Sequence, residues 1–165
     1  MHSPATSTYL PPLEVNHERE GVGQELQATL HELVDLSLIG KQLHWAVVGP
    51  LFRPLHLQLD ELVDSWRELA DTVAERAVAL GFVPDGQARA VAAGSQLVPV
   101  APTALEDNMV VLELTHRIAE VCDQVRDRMN RLGDADLASQ DVLIEVVREL
   151  EKQQWMLRAQ LGEHA

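Results

Sequence analysis

The chain has 165 residues, 46% of them hydrophobic and 24% charged, enough for one domain with a sizeable core. No apolar run approaches the ~18 residues of a membrane span, so a soluble globular protein is expected. The net charge of −13 makes bulk attraction to nucleic acid unfavourable, because duplex binding depends on Lys and Arg neutralising phosphates, and it makes cations the natural partners. For any one carboxylate the ordinary reading is a solvated helix face.

Residues 1–16, with Pro4, Pro11 and Pro12, read as a flexible N-terminal arm. The arm has neither the basic nor the apolar region of a signal peptide, which points to a cytoplasmic protein. With the following turn it carries Glu14, Glu18, Arg19 and Glu20 but no lysine. His2, Glu14 and His17 are candidates for an accessory metal site, although flexible tail histidines more often do nothing.

Residues 17–162 are expected to form a single helical domain, with 163–165 a short C-terminal end. Val22, Leu26, Leu30, Leu33 and Leu36 have helical spacing, predicting an amphipathic helix from about Glu20 to Val47. His31 on it is expected to hydrogen-bond or face solvent. Gly49-Pro50 ends that helix and starts the next, which runs from about Phe52 to Leu80 before Gly81. Both are ~28 residues and ~42 Å long, matched lengths that suit an antiparallel bundle.

Residues 82–102 break the pattern with Pro84, Pro99 and Pro102 and read as a long crossover, with a short helix within 85–94. Thr103-Ala104-Leu105-Glu106 has the form of a capping box and is expected to open a third helix, ending near Leu132 before Gly133. Val111, Leu114, Ile118, Val121, Val125 and Met129 share one of its faces. The lone cysteine, Cys122, excludes an intrachain disulfide, fits a reducing compartment and is expected to be a buried filler. A fourth helix begins near Asp136 or Ser139, carries Leu143, Val147, Leu150, Leu157 and Leu161, and frays at Gly162. Trp66 and Trp155 are expected in the core or at an interface.

The stretch from His44 to Arg76 carries the chemistry. His44 closes the first helix and His56 opens the second. His56 and Asp60 are spaced by four, as are Asp71 and Glu75, so each pair projects side by side. Imidazole with carboxylate suits Fe(II), Mn or Zn. Leu55, Leu59, Leu62, Trp66, Leu69, Val73 and Leu80 form one stripe, and on the same wheel His56, Asp60, Asp71 and Glu75 lie about 100° to 200° from its centre. They point largely away from the core. Asp60 and Asp71 are about 16 Å apart along the axis, too far to share one ion. The economical arrangement therefore joins His44, His56 and Asp60 of one subunit to Asp71 and Glu75 of a neighbour across a two-fold axis, giving two sites per isologous dimer.

LSLIGKQLHW (36–45), GPLFRPLH (49–56), Asp60 and DTVAERAVALG (71–81) resemble the Dps proteins, the miniferritins of the ferritin-like superfamily. The likeness covers about residues 20 to 160 and is most specific over 36–86. It implies an all-α, ferritin-like four-helix bundle with a short helix in the crossover between helices two and three. It also implies that His44, His56, Asp60, Asp71 and Glu75 match the ligands of the family's ferroxidase centre. Trp45, Lys41 and Arg76 follow the family pattern as well: Trp45 lies beside the centre or in the dimer interface, and Lys41 and Arg76 are ion-pair formers at that interface. Asp64 and Glu68 share the outward face but fall outside the pattern. A homododecameric shell is implied, with Fe(II) oxidised preferentially by hydrogen peroxide, or by dioxygen, and stored as ferric oxyhydroxide as protection against oxidative damage. Asp141, Asp127, Asp134 and Asp136 are candidates for acidic entry pores, with Asp134 or Asp136 alternatively a helix N-cap. Loading is expected to weaken as pH falls through the ~6–7 range in which imidazole protonates.

Rival readings remain. A DNA-compacting, nucleoid-associated protein with secondary iron chemistry is disfavoured by an arm without lysine, since many Dps proteins bind DNA through basic tails. A helical scaffold with structural zinc would show no redox turnover. An intrabundle diiron centre needs inward Glu-x-x-His on two helices; Glu113-Leu-Thr-His116 supplies one, and the fourth helix supplies none.

Overall fold

The computed structural model describes residues 17–133 and 135–162. Its elements are α1 (His17–Ala46), β1 (Val47–Val48), α2 (Phe52–Ala79), α3 (Ala88–Gly94), β2 (Leu105–Glu106), α4 (Asp107–Leu132) and α5 (Leu137–Gln160). The four long helices form an all-α bundle, and the expected stripes supply its core. Every member of the α2 stripe, from Leu55 to Leu80, is buried, as are Val22, Leu26, Leu30, Leu33 and Leu36 of α1. No helix among the described residues is long and apolar enough to cross a membrane.

α1 and α2 pack as one hairpin and α4 and α5 as another. β1 pairs in parallel with β2, Val47 opposite Leu105 and Val48 opposite Glu106. The end of α1 therefore lies beside the start of α4, and the crossover after α2 must run the length of the bundle to reach it. His31 secures that crossover: its Nε2 lies 2.9 Å from the Asp85 carbonyl, while Gln27 Oε1 accepts the Asp85 N–H at 2.7 Å. Ser95 adds a bond to Asp35 at 2.6 Å.

The start of the third long helix departs from expectation. Helix α4 begins at Asp107, not at Thr103, and Glu106 at its N-cap position makes no side-chain cap bond. The backbone of Leu105 and Glu106 is engaged by β1, so the capping-box pattern is overridden by a tertiary ladder. Trp155 is 60% exposed on α5, outside this chain's core.

Trp66 is wholly buried, and its indole N–H donates to Gln153 Oε1 at 2.7 Å. Gln153 in turn donates to Ser65 and Glu149, each at 3.0 Å. Gly40 permits the close α1–α2 approach at this level: a Cβ there would stand 2.6 Å from the Trp66 ring and 2.7 Å from Val63. Between α1 and α4, buried Glu32 is clamped by both terminal nitrogens of buried Arg128. Burial outweighs that guanidinium and leaves the Glu32 carboxyl above its ordinary range. Cys122 is a buried filler whose thiol is pushed up to about 11 by burial, so it is not a ready nucleophile.

Candidate metal centre

His44 sits in the last turn of α1 and His56 early in α2, and the short link between them stacks their rings with centroids 3.6 Å apart. The backbone completes the pairing reciprocally. His44 Nδ1 donates to the His56 carbonyl and His56 Nδ1 to the His44 carbonyl, each at 3.0 Å. A carbonyl can only accept, so both Nδ1 atoms carry the proton. In the neutral rings this leaves each Nε2 with a free lone pair, the tautomer a metal requires.

One turn beyond His56, Asp60 Oδ1 lies 3.4 Å from His44 Nδ1 and accepts from Lys41 Nζ at 2.7 Å. The Lys41 bond is the main reason the Asp60 carboxyl is held below its usual range. Lys41 thus pairs within its own chain, with its ammonium 5.9 Å from the Trp45 ring centroid. Trp45 is 70% exposed beside the buried His44, and Phe52 flanks His56 at 5.0 Å. Donor chemistry here is two imidazoles and one carboxylate, a set that fits Fe(II).

Asp71 and Glu75 are exposed farther along α2 and do not join this cluster. Among the described residues, no three or more His, Cys, Asp or Glu side chains converge on one point. Leu38, Trp45 and Leu57 on α1 and α2 are large apolar side chains left at least half exposed by the isolated chain.

The other candidates have separate surroundings. Asp136 is the N-cap of α5, accepting from the Ala138 and Ser139 N–H groups, and it pairs with Arg76 at 2.7 Å. Burial raises its pKa, but Arg76 and Ser139 together bring it below the ordinary value. Arg76 therefore also pairs within the chain. Asp141 is exposed and lines a groove of about 730 Å³ between α2 and α5, with Glu68, Glu145, Glu149, Arg148 and Lys152. Asp127 is exposed, and Asp64 faces Arg67 at 3.9 Å. Asp134, His2, Glu14 and the His17 side chain lie outside the described residues. Glu113 is taken by Arg117 at 3.3 Å and His116 is exposed, so that Glu-x-x-His does not face the core.

One residue that the sequence pattern left unmarked stands out. Asp107, the first residue of α4, reaches into the link between the histidines and accepts the Leu51 N–H at 2.7 Å. Its only sequence signal is an acidic residue at the start of a helix, which many surface positions share.

This bundle, with its long crossover and a stacked histidine pair at the α1–α2 junction, is of the ferritin-like class, and a ferritin-like domain model matches residues 23–165. Among similar proteins, the DNA protection during starvation protein of Mycolicibacterium smegmatis is 36% identical over 158 residues, covering 94% of this chain and 85% of that one. DNA protection during starvation protein 2 of Deinococcus radiodurans is 34% identical over 153 residues, covering 93% of this chain, which spans 63% of that protein's length. The tetragonal form of Mycobacterium smegmatis Dps superposes with a TM-score of 0.86 at 36% identity, covering 97% of this chain and 96% of that one. Dps from Microbacterium arborescens in its high iron form gives 0.85 at 30% identity, covering 93% and 100%. Within the ferritin-like class, the chain belongs to the Dps family.

Proposed function

We propose that the protein is a Dps-type ferroxidase and iron store, and that its catalytic centre is completed between two subunits. The observation that carries this reading is the reciprocally bonded His44–His56 pair, whose Nδ1 protons are engaged by backbone carbonyls so that the Nε2 lone pairs stay free, with Asp60 Oδ1 3.4 Å from the His44 ring. Asp71 and Glu75 of the neighbouring copy supply the remaining carboxylates. The anionic ligands offset cation charge and favour the ferric product. Lys41 holds the Asp60 carboxylate until Fe(II) takes its place there.

In the oxidation, each hydrogen peroxide takes two electrons, one from each of two Fe(II) ions. Its O–O bond breaks, its oxygens enter ferric oxyhydroxide with oxygen from water, and protons leave to solvent. Dioxygen is the slower oxidant. Mineral collects inside a shell of twelve subunits in the cytoplasm, reached through acidic pores to which exposed Asp141 and Asp127 contribute. Asp136 is a weaker pore candidate, because its carboxylate is spent on Arg76 and the α5 N-terminus. Consuming Fe(II) and peroxide together prevents hydroxyl-radical formation.

Stopped-flow absorbance after mixing Fe(II) and peroxide tests the assignment. The His44→Ala, Asp71→Ala double variant is expected to lose the fast ferric phase; parent-like oxidation would refute the site. The related proteins are named for DNA protection, which favours a second reading as a DNA-compacting protein. A net charge of −13 opposes direct binding, so any association should require magnesium. A mobility-shift assay at low salt, with and without magnesium, distinguishes the two readings.

A further inference from the structure

The link that joins His44 to His56 is held by a carboxylate from a third helix. Leu51, at the N-cap position of α2, makes no side-chain cap bond, and the first turn of α2 carries no acidic residue. Asp107 fills that role from α4: its Oδ2 accepts the Leu51 N–H at 2.7 Å, while its Oδ1 accepts the Asn108 N–H at 2.8 Å. A carboxylate placed there also meets the positive end of the α2 dipole. Gly49 makes room for it. That residue has φ +125°, and a Cβ on it would stand 2.6 Å from Asp107 Oδ2. Two residues earlier, β1 is tied to β2, which runs directly into Asp107.

One carboxylate and one two-strand ladder thereby set the end of α1 against the start of α2. The reciprocal histidine bonds, each 3.0 Å from a ring Nδ1 to a backbone carbonyl across that junction, require this register. A slip of the α2 N-terminus would break both bonds and unstack the two rings.

We propose that Asp107 is a positioning residue of the metal centre, acting through the Leu51 N–H to hold His44 and His56 in ligating geometry. This inference rests on the ferroxidase reading of the pair. Co(II), an air-stable stand-in for Fe(II), is the probe: it is titrated into the assembled protein and followed by visible absorption, with sedimentation confirming assembly. Asp107→Ala is expected to bind Co(II) roughly tenfold more weakly, as loss of a group that orients ligands does, with an altered visible band. Asp107→Asn keeps an oxygen acceptor and is expected to stay within about threefold of the parent. Gly49→Ala, which drives the carboxylate aside, is expected to behave like Asp107→Ala and decides the matter if Asp107→Ala does not assemble.

Parent-like affinity and spectrum in Asp107→Ala or Gly49→Ala would overturn the inference, as would a loss in Asp107→Asn equal to that in Asp107→Ala. The His44→Ala, Asp71→Ala variant is measured alongside. If it still binds Co(II) and oxidises Fe(II) like the parent, the ferroxidase reading itself is wrong. If it is inactive while Asp107→Ala is unchanged, only the positioning role fails.

Discussion

A centre shared between subunits can be rebuilt from two inactive variants, and the geometry of α2 sets how much activity returns. Asp60 and Asp71 stand about 16 Å apart along the helix, so the carboxylate pair of a chain cannot serve its own histidines. A His44→Ala shell has no complete site, and neither has an Asp71→Ala shell. In a mixed dimer, the intact His44 of the Asp71→Ala chain faces the intact Asp71 of the His44→Ala chain, so one of its two sites is whole. Random pairing at equal amounts then restores about a quarter of all sites, because each half must come from a specified chain. Co-expression with two affinity tags, tandem purification of mixed shells and stopped-flow oxidation of Fe(II) by peroxide read the fraction directly. Mixed shells no more active than either parent variant would refute the shared centre, because substitutions confined to one chain's own site cannot complement.

Other consequences concern the scaffold. Glu32→Ala leaves the buried Arg128 guanidinium with only the longer 3.8 Å contact to Glu25 and should cost about 3 kcal/mol in denaturant unfolding at fixed protein concentration, whereas replacing both Glu32 and Arg128 by Leu and Met should be close to neutral. Gly40→Ala forces a methyl into the Trp66 ring and should cost about 1–3 kcal/mol in the same assay; a cost under about 0.5 kcal/mol would show that the contact relaxes freely. The Asp136 carboxyl is held below its ordinary pKa by Arg76 and Ser139, so its ion pair contributes stability above the unfolded carboxylate value of about 3.9 that is lost as pH falls below it. Asp136→Asn keeps a capping oxygen but not the pair, so thermal melts of variant and parent should differ at pH 7, and the gap should shrink steadily as pH falls below the unfolded carboxylate value of about 3.9. A constant gap across that window would mean the pair does not titrate as described.

The helices and their buried faces were legible because a stripe such as Leu55, Leu59, Leu62 and Trp66 repeats with the period of the helix itself, and nothing distant is needed to read it. The outward placement of Asp71 and Glu75 followed from the same wheel. What escaped the sequence depends on residues far apart in the chain. Thr103 to Glu106 has the local form of a helix start, yet pairing with Val47 and Val48 claims its backbone. The residue pattern marked Lys41 and Arg76 as ion-pair formers but not their carboxylate partners within the chain, Asp60 and Asp136. The spacing of His44 and His56 marked them as neighbours, but not the mutual Nδ1 bonds that fix their tautomer. Those depend on a turn held by Asp107, which is 56 positions from Leu51.

The bundle interior gives a physical reason for chemistry at the surface. In a diiron carboxylate bundle, facing helices project Glu and His inward around the metal. Here Trp66 fills that level, its N–H satisfied by Gln153, and the charged pair Glu32–Arg128 neutralises itself between α1 and α4. Packed apolar volume and a closed ion pair fill this level of the interior, whereas Asp71 and Glu75 of α2 are left exposed. Halfway along α2 between the His56–Asp60 and Asp71–Glu75 pairs lies the turn from Asp64 to Arg67, where the two-fold axis of the proposed dimer must pass. That turn carries opposite charges, Asp64 and Arg67, on side chains 74% and 58% exposed, which keeps apolar surface off this part of α2.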